Sequence, residues 1–194
     1  APRGTAMYGV GVIGAGSIGA RRAAVAAAHP RTRVTGVFDV VPARAEQLAQ
    51  RCGAVPAPSW QALLDRRDVD LVVVATTHDA LAPMSIAALS AGRHVLCEKP
   101  MGRNPVEARA VVDAARASGR CLKAGYNHRY HPAVQQVQQA CSSGRIGPLL
   151  HLRARYGHGG RPGYQREWRA VREVAGGGEL LDQGAHLIDL AQWL

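Results

Sequence analysis

Three groups of residues in this chain have types and spacings suited to chemistry. One is Glu98 and Lys99, set between the apolar run 95–97 and Pro100. Proline cannot extend a β ladder and biases the residue before it towards an extended backbone. A buried strand is therefore expected to end here, holding an acid and an ammonium at its carboxyl edge. The chain writes its positive charge as Arg almost everywhere, and Lys occurs only at 99 and 123. Arg stays protonated, whereas Lys shifts its pKa readily on burial. Lys99 reads either as a required ammonium or as an ordinary surface lysine. The second group is Asp182 and His186, four apart and on one face of an expected helix, with Asp189 three further on. They are an acid–base pair, a plain helix pair, or two metal ligands lacking a visible third partner. As acid and base they need a cofactor and an electrostatic neighbour, which Lys99 supplies.

The third group is Gly14-x-Gly16-x-x-Gly19, with Ser17 and Ile18 between the last two glycines. It lies between a β-rich run, 8–13, and a helical stretch, 20–28. Strand, glycine turn and helix in that order suit a dinucleotide. Gly14 allows the tight turn, Gly16 lets the backbone approach a pyrophosphate, and Gly19 lets helix and strand pack closely. The helix N-terminus then faces the phosphates. A second strand, 34–38, ends in Asp39, about 20 residues on, where an acid holds the ribose hydroxyls. Asp39 would repel a 2′-phosphate, which favours NAD over NADP. Arg44 leaves NADP open, because it can reach a phosphate or stack on adenine.

These groups need a frame, and the pattern supplies one. Helices are expected at 42–51, stopped by Gly53, and at 60–66, capped by Ser59, with Trp60 as packing. The run 71–74 reads as a fully buried parallel strand. It ends in Thr76, Thr77 and His78, expected to line the nicotinamide side, with His78 as a cofactor contact or a helix start. A helix at 81–90 closes at Gly92. Asn104 caps the next, with Pro105 first and Glu107 at the capping-box position, and Gly119 ends it. With a strand at 121–124, this is a doubly wound parallel Rossmann sheet of the α/β class. From Gly125 the pattern changes. Polar and aromatic residues fill 125–132, a helix is expected at 133–143 and a strand at 149–156. A binding loop rich in Gly, Arg, Tyr and Trp follows at 157–169, then a helix at 179–194. Its Leu180, Leu181, Leu187, Ile188, Leu190, Ala191 and Leu194 are expected on the side opposite Asp182 and His186, with no complete sheet to cover them. The domains read as 1–125, dinucleotide-binding, and 126–194, the truncated start of an α+β domain.

Composition excludes several classes. The chain has 194 residues, 47% of them hydrophobic, and a net charge of +10. Its Arg residues are scattered, with no basic run interleaved with aromatics, so nucleic acid is not expected. No apolar run reaches the roughly 18 residues of a membrane span. Residues 1–6 are polar and lack the apolar core of a signal peptide. Cys52, Cys97, Cys121 and Cys141 show no metal or disulfide spacing and read as reduced thiols of a cytoplasmic protein.

Taken together, the glycine motif, Glu98-Lys99-Pro100 and Gly176-Gly177-Gly178-x-x-x-Asp182-x-Gly184-x-His186-x-x-Asp189 closely resemble the Gfo/Idh/MocA family of nicotinamide-dependent oxidoreductases. The resemblance runs from Tyr8 to Leu194. It implies a Rossmann domain followed by an α+β domain with a large, mostly antiparallel sheet. It also implies hydride transfer on a secondary alcohol or ketone of a sugar, polyol or sugar derivative, with a homo-oligomer expected in the full-length form; the loop at 157–169 suggests a polar or anionic ligand. By position His186 is implied as general acid/base, with Lys99 and Asp182 orienting substrate. Glu98 joins the cofactor set of Gly14, Gly16, Ser17, Ile18, Gly19, Asp39, Arg44, Thr76, Thr77, His78 and Lys99, and no metal is assigned. Family members usually continue far beyond Leu194, so the second domain is expected to be incomplete, as a fragment or a natural truncation. The alternative from another class is a dinucleotide-binding sensor without turnover.

Overall fold

The computed structural model describes residues 7–157 and 162–194. The expectations for residues 1–6 and for 158–161 of the binding loop lie outside the described residues. The chain divides into two compact units, residues 1–124 and 125–194.

The first unit is an open sheet of six parallel strands in the order β3-β2-β1-β4-β5-β6. β1 is Tyr8–Ile13, β2 Thr32–Phe38, β3 Val55–Pro56, β4 Leu71–Val74, β5 His94–Cys97 and β6 Leu122–Ala124. Between them run α1 (Ser17–Ala28), α2 (Pro42–Cys52), α3 (Trp60–Leu64), α4 (His78–Ser90) and α5 (Pro105–Ser118). Side chains of a strand alternate between faces, and here each face meets its own helices. Val10, Val12, Val34, Val37 and Val73 pack with Ala23 of α1 and Leu48 of α2. Ile13, Val72, Val74 and Val95 pack with Leu63, Leu81, Leu89 and Val111 of α3, α4 and α5. A sheet covered on both faces needs apolar residues at consecutive positions, which is why β4 is nearly pure valine.

Local signals set most boundaries. Ser59 Oγ accepts from Ala62 N at 3.0 Å and Asn104 Oδ1 from Glu107 N at 2.9 Å, capping α3 and α5. Gly53 and Gly119 stop α2 and α5 in the left-handed conformation, at φ 64° and 63°. α1 begins at Ser17, three residues before the expected start, so Gly19 is helical. β3 was not expected. It is a two-residue edge strand containing Pro56, and an edge position suits a residue that lacks an N–H.

The second unit departs further from expectation. Its described residues hold α6 (Pro132–Ser142), α7 (Arg172–Ala175), α8 (Ala185–Trp193) and short 3-10 turns, one of them Asn127–Tyr130. Residues 149–156, expected as a strand, form no ladder. The alternation there suits a strand, but a strand exists only with a hydrogen-bonding partner. No other described segment of this unit is assigned as a strand to provide one. The helix expected from Glu179 opens instead as a π-helical turn, Leu180–Gly184, which continues into α8. Burial in this helix falls on the polar side. Asp182, His186 and Asp189 are buried, while Leu180 is 72% and Ile188 52% exposed.

Candidate active site

The parallel register brings four strand ends to one level: Ile13 pairs with Phe38 and with Val74, and Val74 pairs with Cys97. The residues that follow, Gly14, Asp39, Ala75 and Glu98, therefore share the carboxyl edge of the sheet. β1 and β4 flank the point where strand order reverses, the place where open α/β sheets bind ligands.

The glycine turn is built for close approach. Gly14 has φ 96°, a conformation other residues rarely take, and a Cβ there would lie 2.3 Å from Ala75 O. A Cβ on Gly19 would lie 1.8 Å from Gly14 O, so α1 packs directly on the turn. A Cβ on Gly16 would meet nothing within 4 Å. That glycine is not required by the protein's own packing, and the open space beside it is where a pyrophosphate would fit. α1 has no side-chain cap and no acid in its first turn. Its own ladder begins with Ala20 N donating to Gly16 O at 2.9 Å, which leaves the amides of Ser17, Ile18 and Gly19 ahead of it, a site for an anion.

Asp39 is 9% exposed and braces this turn. Its Oδ2 accepts from Ala15 N at 2.7 Å and its Oδ1 from Val41 N at 2.8 Å. The sequence suggested a ribose ligand; the brace to Ala15 was not legible there. Each carboxylate oxygen keeps further acceptor capacity for a hydroxyl. Arg44 is exposed in the first turn of α2. Thr77 precedes α4, its hydroxyl donating to Asp79 Oδ1 at 2.6 Å, and Thr76 Oγ1 donates to Thr77 O at 3.2 Å. His78 is buried as the first residue of α4.

After β5, Glu98 N donates to Val74 O at 2.9 Å, and the Glu98 carboxylate accepts from Arg22 Nε of α1 at 2.6 Å. Sequence reasoning missed Arg22, because a partner 76 positions away leaves no spacing to read. Lys99 is half-buried and its peptide bond to Pro100 is cis. Beneath the strand end Cys97 is fully buried, and burial pushes its thiol up to about 11.

The second unit gathers its own polar cluster. Asp182 Oδ2 accepts from Arg169 Nε at 3.1 Å. Asp189 Oδ2 accepts from Arg129 Nε at 2.7 Å, and Arg129 Nη2 donates to Asp189 Oδ1. Arg129 also lies over the Trp193 ring, 5.8 Å from its centroid. His186, 5% exposed, stacks on His128 with centroids 3.8 Å apart and planes at 14°. Tyr126 and Tyr156 present their rings edge-on to His186 at 6.1 and 6.3 Å. Tyr164 Oη donates to Glu179 Oε1 at 2.9 Å, tying the 162–170 segment to the start of this helix. Of these partners, the sequence reading singled out none as functional; the polar, aromatic composition of 125–132 was the available signal. Among the described residues, no group of three or more His, Cys, Asp or Glu is placed to hold a metal ion.

Residues 8–126 match the oxidoreductase family with an NAD-binding Rossmann fold, and residues 134–194 match the GFO/IDH/MocA C-terminal domain. The chain belongs to the Gfo/Idh/MocA family. That match gives the second unit its α+β class, although no strand forms among its described residues. Levoglucosan dehydrogenase of Pseudarthrobacter phenanthrenivorans is 32% identical over 95% of this chain and 50% of its own length. D-glucoside 3-dehydrogenase of Escherichia coli is 32% identical over 95% of this chain and 53% of its own. Among solved structures, a levoglucosan dehydrogenase in complex with NADH and levoglucosan superposes with a TM-score of 0.87 at 29% identity, covering 96% of this chain and 54% of that one. An NAD-binding protein from Listeria innocua gives 0.84 at 32%, covering 95% and 53%. The chain thus spans about half the length of the relatives it matches. Among the described residues no helix is long and apolar enough to cross a membrane.

Proposed function

We propose that this chain carries the cofactor-binding and acid/base machinery of an NAD-dependent oxidoreductase that interconverts a secondary alcohol and a ketone on a sugar or polyol. The observation that carries the reading is the glycine turn at the switch point of a 3-2-1-4-5-6 sheet, in a chain of this oxidoreductase family. The sugar-acting relatives support the substrate class. The first-turn amides of α1 would hold the pyrophosphate and Asp39 the adenosine ribose, its negative charge favouring NAD over NADP. Thr76, Thr77, His78 and Glu98 would line the nicotinamide side. Bound there, NAD supplies the hydride acceptor.

The remaining chemistry falls to side chains. Removing hydride from an alcohol carbon also requires removal of the hydroxyl proton, and imidazole titrates near neutral pH. His186 takes that proton in oxidation and returns it in reduction. Asp182, held by Arg169, accepts a hydrogen bond from a substrate hydroxyl and orients it. Lys99 stabilises the developing alkoxide by its charge. A homo-oligomer is expected of the full-length protein.

The experiment is NADH titration followed by turnover assays with NAD and a panel of sugars and cyclitols. Asparagine in place of His186 should lower turnover by about 10²–10⁴-fold while NADH affinity stays within a few-fold. Unchanged turnover in that variant removes His186 from the mechanism. Tight NADH binding with no turnover on any substrate favours the sensor reading.

A further inference from the structure

We propose that His128 is a positioning residue for His186: its imidazole, stacked face to face on His186, fixes the plane of that ring and lowers the pH at which it takes a proton. The inference rests on the reading of His186 as the acid/base group, and it goes beyond that reading by assigning a role to a residue the sequence did not single out.

The geometry is specific. The two rings are 3.8 Å apart and within 14° of parallel. Tyr156 meets both imidazoles edge-on, at 5.2 Å from His128 and 6.3 Å from His186, and Tyr126 meets His186 at 6.1 Å. Stacked on one face and bounded by two ring edges, His186 cannot rotate about its ring axis without breaking these contacts. General acid–base catalysis depends on holding one nitrogen towards the reacting hydroxyl, so a fixed plane has direct value.

The electrostatics point to the same residue. Among the described residues, charged groups near His186 come from its own helix and from the elements packed on it. On its own helix stand Asp182 and Asp189; the first is paired with Arg169 of the 162–170 segment and the second with Arg129 of the 127–130 turn. Each carboxylate therefore meets a guanidinium that stays protonated throughout the accessible range. Among the described residues, the neighbour in ring contact with His186 whose charge changes between pH 5 and 8 is His128. Two imidazolium rings in face contact repel, so the pair takes its two protons in separated steps. While His128 carries one proton, His186 is held neutral and able to accept the substrate's proton at a lower pH than an isolated imidazole would.

The test is a side-chain NMR titration of the eight histidines in the 194-residue chain, with no turnover required. His128→Phe keeps a flat ring in the stack and removes the titrating partner. His128→Asn serves if the larger ring disturbs folding, and His186→Asn identifies the His186 resonance. In the unmodified chain His186 should titrate broadly, with a Hill coefficient below one. In the His128 variants it should titrate as a single site, with its midpoint raised by about half to one pH unit. A single-site curve in the unmodified chain, or a midpoint that is unmoved or lower in the variants, overturns the proposal. Absence of turnover in the unmodified chain would count against the oxidoreductase reading and leave this titration unaffected.

Discussion

Replacing Asp39 separates two roles that one carboxylate combines. It accepts from Ala15 N at 2.7 Å and Val41 N at 2.8 Å, so it braces the glycine turn besides its proposed place at the ribose. A hydrogen bond to a charged group contributes about 1.5–3 kcal/mol net. Serine is one carbon shorter; its hydroxyl can serve Val41 N two residues on, but not Ala15 N. Asp39→Ser should therefore lose about 1.5–3 kcal/mol. For a chain of this size each kcal/mol moves Tm by roughly 2–4 °C, so the expected fall is about 3–12 °C. Asp39→Asn keeps the length and one acceptor and should fall less. Both variants remove the negative charge that, on the proposed binding mode, would face the 2′-phosphate of NADP. Two like unit charges 4 Å apart repel by about 1 kcal/mol in water and about 4 at an effective dielectric of 20. The NADH-over-NADPH preference should thus narrow by about one to three orders of magnitude in both. Because the turn loosens, Asp39→Ser should also weaken NADH itself. Calorimetric titration with each dinucleotide, beside thermal melts of the unliganded protein, gives every quantity. An Asp39→Ser protein with unchanged Tm and unchanged NADH affinity refutes the bracing role. Equal affinities for NADH and NADPH in the unmodified chain refute the charge argument.

Other expectations follow from particular contacts. Gly16→Ala should leave Tm within about 2 °C, because its Cβ meets open space, yet weaken NADH strongly; Gly19→Ala should lower Tm markedly, because its Cβ would lie 1.8 Å from a carbonyl oxygen. Melts and titrations of the pair that show the same pattern for both would contradict the assignment. Burial lifts the Cys97 thiol from 9.0 to about 11, so the unfolded chain loses this proton first as pH rises. Stability from this group is present below pH 9 and declines towards pH 11, by about 2–3 kcal/mol. Urea melts at pH 8 and pH 11 should show that extra loss in the parent and not in Cys97→Val. In hydrogen exchange, α6, which has no buried residue, and residues 149–157, which are all exposed, should exchange well before β1, β4 and β5. Equal protection of both units in a dilute monomer would show a core in the second that these contacts do not contain.

What the sequence determined by itself was whatever depends on neighbours in the chain. The bounds of β1, the glycine turn, the Asn104 cap and the Gly53 and Gly119 stops are set within a few residues by torsional preference and local hydrogen bonds. The buried sheet was legible because a strand covered on both faces must be apolar at consecutive positions. Tertiary structure decided the rest. Residues 149–156 have a strand's alternation, but a ladder needs a partner, and none forms among the described residues. Asp182, His186 and Asp189 share one side of their helix, as their spacing implied, but only the fold shows that this polar side is the buried one. Arg169, Arg129 and His128 satisfy that polar side, while Leu180 and Ile188 remain exposed. The partners that shape the site lie far off in sequence, Arg22 by 76 positions from Glu98 and Arg129 by 60 from Asp189. Helix and strand periodicity does not extend over such separations. Only the folded chain brings those charges together, because an unpaired buried carboxylate is too costly to keep.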